Sequence, residues 1–336
     1  MKQYNLCFLG FGNVGRALVR LFVAKSVELR EQYGIEFRVA GVASRRIGWL
    51  ANSDGFDVAT LLADPTSVEQ SPADNIGSWL QAARPDVVFE TTSLNPDSGQ
   101  PAIDHLRAVL NSGAHAITAN KGVLVHGYQE LAELARAQGK RLLFESAVLD
   151  SAPVFSLFRE TLPAARLRGF SGLFSSTTNV IIETMEAGRS FEEGLKTARE
   201  LGVTETDASH DIDGWDATVK VCALASVLMG IPLKPVEVNR EGIRDLTNRQ
   251  VQAARAEGKP YKLVARAKLG GDGRLVATVR PEQIAASDPL GNVRGTSLAI
   301  HFELDMIPGL TITSHRPNLQ STAYGLLADF INAVKN

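Results

Sequence analysis

Glu205, Asp207, Asp211, Asp213 and Asp216 place five carboxylates ahead of a single lysine, Lys220, at the start of an apolar helical run. Asp216 and Lys220 are four residues apart and so share one helical face. A lysine held beside carboxylates can be tuned to give or take a proton. The same pattern also suits an acidic first turn that complements the helix dipole, with an ordinary i,i+4 ion pair. The run by itself leaves both readings open. Other ligand chemistries fail on spacing. A calcium loop starting at Asp207 would need Gly at its sixth position and Glu at its twelfth, where Ile212 and Thr218 stand. His210 has no helical partner for zinc and reads as a solvated loop residue.

Residues that position such chemistry begin at the N-terminus. Tyr4 to Leu9 reads as a buried strand, followed at once by Gly10-Phe11-Gly12-Asn13-Val14-Gly15 and then by helical periodicity from Arg16 to Leu29. Gly-x-Gly-x-x-Gly between a first strand and a first helix is a dinucleotide-binding signal. Gly10 permits the tight turn, Gly12 lets the backbone approach a pyrophosphate, and Gly15 allows close helix–strand packing. The helix N-terminus offers free N–H groups to phosphate. An NAD-preferring site usually carries an acid at the tip of the second strand. Here that strand, Phe37 to Ala43, ends in Ser44-Arg45-Arg46. This set suits a 2′-phosphate, so NADP(H) is expected over NAD(H).

Strands at 86–90, 115–118 and 141–145 alternate with helices at 101–110 and 128–137. This order predicts an α/β, Rossmann-type doubly wound parallel sheet. Ligands of such sheets sit at the strand carboxyl ends, where Thr91-Thr92-Ser93 and Thr118-Ala119-Asn120-Lys121 fall; Lys121 should face the cofactor crevice. Beyond residue 150 the pattern changes to α+β. A strand over 167–175 precedes a helix over 177–187, and Ser190-Phe191-Glu192-Glu193 forms a capping box. A helix over 213–229 follows, then a hairpin around Gly270-Gly271-Asp272-Gly273. Two more strands end near Thr313, and a helix runs from 321 to 334.

With 336 residues, 35 Lys plus Arg against 37 Asp plus Glu, and 44% hydrophobic residues, the composition is that of a globular protein. A net charge of −2 gives no nucleic-acid or membrane-surface footprint. Cys7 and Cys222 lie in apolar runs and read as reduced core thiols of a cytoplasmic protein. No signal-peptide layout opens the chain.

The chain resembles the homoserine dehydrogenases over nearly its whole length. The resemblance rests on the 10–15 glycine loop, Thr118 to Gly122, Glu145-Ser146-Ala147-Val148 and Thr177-Thr178-Asn179. It extends through Ala198 to Gly202, Glu205, Asp211, Gly214, Asp216 and Lys220, and ends on Thr322 to Asp329. It implies a nucleotide-binding domain over 1–150, a substrate and dimerisation domain with a mixed sheet over 151–315, and a last helix, 316–336, that returns to the first domain. It further implies a short form without kinase or C-terminal regulatory domains, forming a homodimer. The implied reaction reduces aspartate 4-semialdehyde to homoserine with NAD(P)H. Lys220 would be the proton donor, with Asp216 the tuning partner of Lys220 and Lys121 a second lysine at the reaction centre, while Glu205, Asp211 and Thr177 would bind substrate. A monovalent cation such as Na+ would sit by Glu145, Val148 and Asp150.

Three segments depart from the family pattern: Leu149-Asp150-Ser151-Ala152, Ser175-Ser176, and Ser314 to Gln320 in place of a glycine-rich turn. They motivate an alternative, a dehydrogenase acting on a related amino or hydroxy aldehyde. A non-catalytic NADP-binding protein is the third reading, opposed by the retained lysines and carboxylates.

Overall fold

The computed structural model describes residues 1–68, 72–204 and 207–335. They form two compact units, 1–151 with 319–336 and 152–318.

The first unit is built on a six-stranded sheet ordered β3-β2-β1-β4-β5-β6. Its strands are β1 (Lys2–Leu9), β2 (Ile35–Ser44), β3 (Gly48–Ala51), β4 (Val87–Glu90), β5 (His115–Thr118) and β6 (Leu142–Leu143). All pairings are parallel except β2 with β3. The strand order reverses at β1, between β2 and β4, so the ligand crevice of such a sheet opens at the carboxyl ends of β1 and β4. The helices are α1 (Asn13–Ala24), α2 (Ser26–Tyr33), α3 (Val58–Ala63), α4 (Ile76–Ala83), α5 (Ala102–Asn111), α6 (Lys121–His126) and α7 (Tyr128–Ala137).

Two local expectations are corrected. The helix expected to continue to Leu29 breaks at Lys25, which leaves helical geometry at φ −100°, ψ 8°. The apolar face changes there: α1 buries Ala17, Leu18, Val19 and Phe22, while α2 buries Leu29 alone. The 141–145 strand shrinks to Leu142–Leu143, because Glu145–Ala147 winds into a 3₁₀ turn.

The second unit carries a mixed six-stranded sheet, β12-β11-β7-β9-β10-β8. It comprises β7 (Leu167–Leu173), β8 (Asn239–Arg240), β9 (Tyr261–Leu269), β10 (Leu275–Gln283), β11 (Leu298–Leu304) and β12 (Leu310–Ser314). The glycine-rich turn joins β9 and β10 antiparallel, as its sequence requires. Helices α8 (Ser176–Glu186), α9 (Phe191–Glu200), α10 (Ser209–Ile212), α11 (Trp215–Leu224) and α12 (Asn248–Ala256) belong to this unit. Ser190 and Glu193 form the capping box of α9: the Ser190 hydroxyl accepts the Glu193 N–H and the Glu193 carboxylate accepts the Ser190 N–H.

The last helix, α13 (Leu319–Val334), packs in the first unit. Leu326, Leu327 and Phe330 join its core, where Phe330 meets Phe22 at 5.2 Å and Tyr4 at 5.7 Å. Both cysteines are free and buried, and burial pushes the Cys222 thiol up to about 12. No helix among the described residues is long and apolar enough to cross a membrane.

Candidate active site

Three glycines shape the crevice at the end of β1, each for a different reason. Gly10 sits at φ 89°, and a Cβ there would lie 2.6 Å from the Thr91 backbone. A Cβ on Gly15 would lie 2.6 Å from the Gly10 carbonyl, so α1 can approach the strand only without a side chain. A Cβ on Gly12 would meet nothing within 4 Å, which leaves its backbone open to a ligand. Gly12 is also the N-cap of α1, and no side chain caps that end. The first-turn N–H groups of α1 therefore remain available to an anion. Phe11 is buried, Asn13 is exposed and Val14 is partly buried against the core. This arrangement fits a dinucleotide.

The loops after β4 and β5 are tied together by Glu90, a residue the sequence reading placed only within a strand. Its fully buried carboxylate accepts hydrogen bonds from the Thr118 hydroxyl at 2.6 Å, the Thr92 N–H at 2.8 Å and the Thr92 hydroxyl. Burial raises its pKa, and the hydrogen bonds only partly offset this. Thr118 in turn accepts the Asn120 N–H at 2.9 Å, and Asn120 caps α6 through the Gly122 N–H at 3.0 Å. Lys121 opens α6 and is partly buried. The Thr91 hydroxyl donates to the Gly10 carbonyl at 2.8 Å, while Ser93 is exposed. Thr91 and Thr92 thus spend their hydroxyls on the chain itself. A signal for Glu90 was available: one acid ends the apolar run Val87-Val88-Phe89 and precedes Thr91-Thr92-Ser93.

Arg45 and Arg46 form the exposed turn between β2 and β3, and Ser44 closes it by accepting the Arg46 and Ile47 N–H groups at 3.3 Å. At the end of β6, the Glu145 N–H donates to the buried Asp329 carboxylate at 2.7 Å, and the Ser146 hydroxyl to the Thr322 carbonyl at 2.8 Å. Val148 is buried. Asp150 adopts φ 54° and accepts the Thr322 hydroxyl at 2.7 Å. The 145–150 loop is therefore lashed to α13.

In the second unit, four elements bring the acidic run together. Lys220 donates to Asp216 at 2.8 Å across one turn of α11, and to the carbonyl of Phe174, just beyond β7, at 2.6 Å. Its side chain is only 11% exposed and that of Asp216 21%, so this is not a solvated surface pair. Thr177, in the first turn of α8, donates to the Asp211 carboxylate at 2.8 Å; Ser175, the N-cap of α8, lies 3.3 Å from the other oxygen. Burial raises the Asp211 pKa, and the charge of Asp216 raises it further; Thr177 and Lys220 act against them. Asp211 and Asp216 thus bring two carboxylates to the side of one lysine, Lys220. Asp213 instead forms a two-pronged pair with Arg244, and Asp207 accepts the Ser209 N–H at 2.9 Å, so both serve local structure. Glu205 lies outside the described residues.

Comparison with known proteins identifies the family. Residues 153–331 match the homoserine dehydrogenase family, and residues 10–145 match the NAD-binding domain of homoserine dehydrogenase. The chain belongs to the homoserine dehydrogenase family. A homoserine dehydrogenase of Methanocaldococcus jannaschii is 31% identical over 98% of this chain and 98% of its own length. An NAD(+)-dependent homoserine dehydrogenase of Pseudomonas canavaninivorans is 30% identical over 99% of this chain and 96% of its own. Among solved structures, the Thiobacillus denitrificans homoserine dehydrogenase superposes with a TM-score of 0.84 at 28% identity, covering 99% of this chain and 73% of that one. A hyperthermophilic archaeal homoserine dehydrogenase in complex with NADPH has a TM-score of 0.81 at 25% identity, covering 99% and 98%. This chain is thus an NAD(P)-dependent oxidoreductase of the homoserine dehydrogenase family, with that family's fold.

Proposed function

We propose that the protein reversibly interconverts L-aspartate 4-semialdehyde and L-homoserine, in threonine and methionine biosynthesis, with NADP(H) preferred over NAD(H). The observation that carries this reading is the enclosed Lys220–Asp216–Asp211–Thr177 cluster. Its two carboxylates suit the permanent ammonium of an amino acid substrate, and its lysine suits a forming alkoxide.

The dinucleotide, when bound, supplies or accepts the hydride. Lys220 gives its proton to the aldehyde oxygen as the alkoxide forms, and takes it back in the reverse direction. Asp216 and the Phe174 carbonyl fix the position of the Lys220 ammonium. Asp211, oriented by Thr177, binds the substrate's polar end together with Glu205. Lys121 adds positive charge at the reaction centre. Gly10 to Gly15 hold the pyrophosphate, while Thr91 to Ser93 and Asn120 border the nicotinamide end. Ser44, Arg45 and Arg46 take the 2′-phosphate, a reading supported by the lack of an acid at the tip of β2.

We further propose a cytoplasmic homodimer, testable by sedimentation. A monovalent cation at Glu145, Val148 and Asp150 is supported by the fixed 145–150 loop, since backbone ligands must be held in place to bind. Replacing Na+ by choline at constant ionic strength should lower the melting temperature; an unchanged value removes the cation from the account.

Steady-state turnover tests the main reading, with homoserine and a panel of related amino and hydroxy alcohols, each with NAD+ and NADP+. Homoserine with NADP+ should give the highest kcat/KM. A better alcohol would favour the alternative substrate, and tighter binding of NAD+ would overturn the cofactor assignment.

A further inference from the structure

Asp211 and Asp216 come from two helices, α10 and α11, that meet at a corner made by Asp213 and Gly214. The corner does not support itself. Helix α10 has four residues, a single turn, and so short a helix has no stability of its own. Gly214 turns the chain at φ 76°, a conformation glycine adopts freely. The charge of Asp216 acts on Asp211, so the two carboxylates repel each other across the corner. The Thr177 hydroxyl orients the Asp211 carboxylate from α8, but the backbone that carries Asp211 has to be held from elsewhere.

The chain leaving β8 holds it. Arg240 pairs with Val279 of β10, and the Glu241 N–H donates to the Val279 carbonyl at 2.7 Å. The Ile243 N–H donates to the Ile212 carbonyl at 2.9 Å, and a Cβ on Gly242 would lie 2.5 Å from that same oxygen. Arg240 itself straddles the corner. Its guanidinium donates to the carbonyl of Asp213, the C-cap of α10, a role basic side chains take at helix C-termini. It also lies over the ring of Trp215, the first residue of α11, at 3.8 Å from the ring centre. Indole is the strongest ring partner for a cation. One side chain therefore joins the end of one helix to the start of the next. Arg244 differs: it is exposed and engages the Asp213 carboxylate rather than the backbone.

We propose that Arg240 is a positioning residue that sets Asp211 against the Asp216–Lys220 pair. The proposal rests on the reading of the Lys220 cluster given above. Asp216 and Lys220 share α11 and keep their pair without Arg240, whereas Asp211 rides on α10 and does not keep its place. The loss of Arg240 therefore falls on the binding of the substrate's polar end.

Steady-state kinetics and hydrogen exchange on the intact protein test this. Arg240→Ala should raise KM for homoserine at least about 10-fold, the worth of one charge-assisted hydrogen bond. Its kcat should stay within about 3-fold of wild type, because lost ground-state binding spares kcat. Arg240→Lys keeps the charge but cannot both donate to the carbonyl and lie flat on the indole. It should show a smaller rise in KM, and it keeps the test decisive should Arg240→Ala fail to fold. Arg244→Ala, which removes an exposed ion pair from the same Asp213, should change KM less than about 3-fold. Amide exchange over 209–216 should be faster in Arg240→Ala and unchanged in Arg244→Ala. An unchanged KM in Arg240→Ala, or in Arg240→Lys where the alanine variant does not fold, overturns the proposal. So does an equal loss in Arg244→Ala, or a fall in kcat as large as the rise in KM. A wild type inactive on homoserine would remove the functional reading instead, and the exchange rates would then decide the clamp alone.

Discussion

Replacing Glu90 by leucine should damage both stability and dinucleotide binding, although Glu90 is fully buried. The buried carboxylate is the common acceptor for the Thr118 hydroxyl, the Thr92 N–H and the Thr92 hydroxyl. Leucine leaves these donors without it. Each buried unsatisfied donor costs about 1–3 kcal/mol, so the Thr118 hydroxyl and Thr92 N–H together cost about 2–6 kcal/mol. Release of the burial penalty on the carboxyl offsets part of this. The loops after β4 and β5 then lose their shared anchor, and Asn120 and Lys121 move with Thr118. Glu90→Gln keeps one acceptor and should cost about 1 kcal/mol. The two also separate by pH. The Glu90 pKa is raised in the fold, so the wild-type protein gains stability as pH falls through the folded value, complete below the unfolded one. Glu90→Gln should lack that gain. Urea unfolding at pH 7 and pH 5 with calorimetric titration of NADP+ is the assay. Glu90→Leu unfolding within 1 kcal/mol of wild type, with unchanged NADP+ affinity, would refute the reasoning.

Other consequences are as direct. Asp211→Asn should raise stability at pH above the folded carboxyl pKa while raising KM for homoserine about 10- to 100-fold, because a raised carboxyl pKa means that ionisation opposes folding; lower stability would contradict it in thermal melts. Phe330→Ala should cost about 3–5 kcal/mol by opening the aromatic cluster with Tyr4 and Phe22, read by denaturant unfolding. Changing Arg45 and Arg46 together to Ala should weaken NADP+ but not NAD+ binding; equal losses for both would place the arginines elsewhere.

Local signals in the chain were legible wherever the chemistry is local. The glycine loop, the Ser190–Glu193 capping box, the β9–β10 hairpin and the Asp216–Lys220 pair each need only neighbours a few residues apart. The core role of Phe330 and the α8–Asp211 link depend on chain segments far apart in sequence. Thr177 meets Asp211 from 34 residues away, and the Phe174 carbonyl reaches Lys220 from 46. No periodicity encodes a backbone carbonyl as a lysine's partner. The break at Lys25 was hidden because apolar residues continue across it while the buried face changes. Strand β6 is shorter than the apolar pattern suggests because Glu145 to Val148 remains buried after the backbone has left the sheet.

The most direct test of the central claim is homoserine-dependent NADP+ reduction by the wild-type protein and by Lys220→Met, each checked for folding by circular dichroism. Proton transfer by a positioned side chain contributes about 10²–10⁴-fold. The wild type should turn over, and Lys220→Met should lose kcat by that factor while retaining NADP+ affinity. A folded Lys220→Met protein with wild-type kcat would contradict the role of Lys220, and a folded wild type with no homoserine turnover would contradict the function itself.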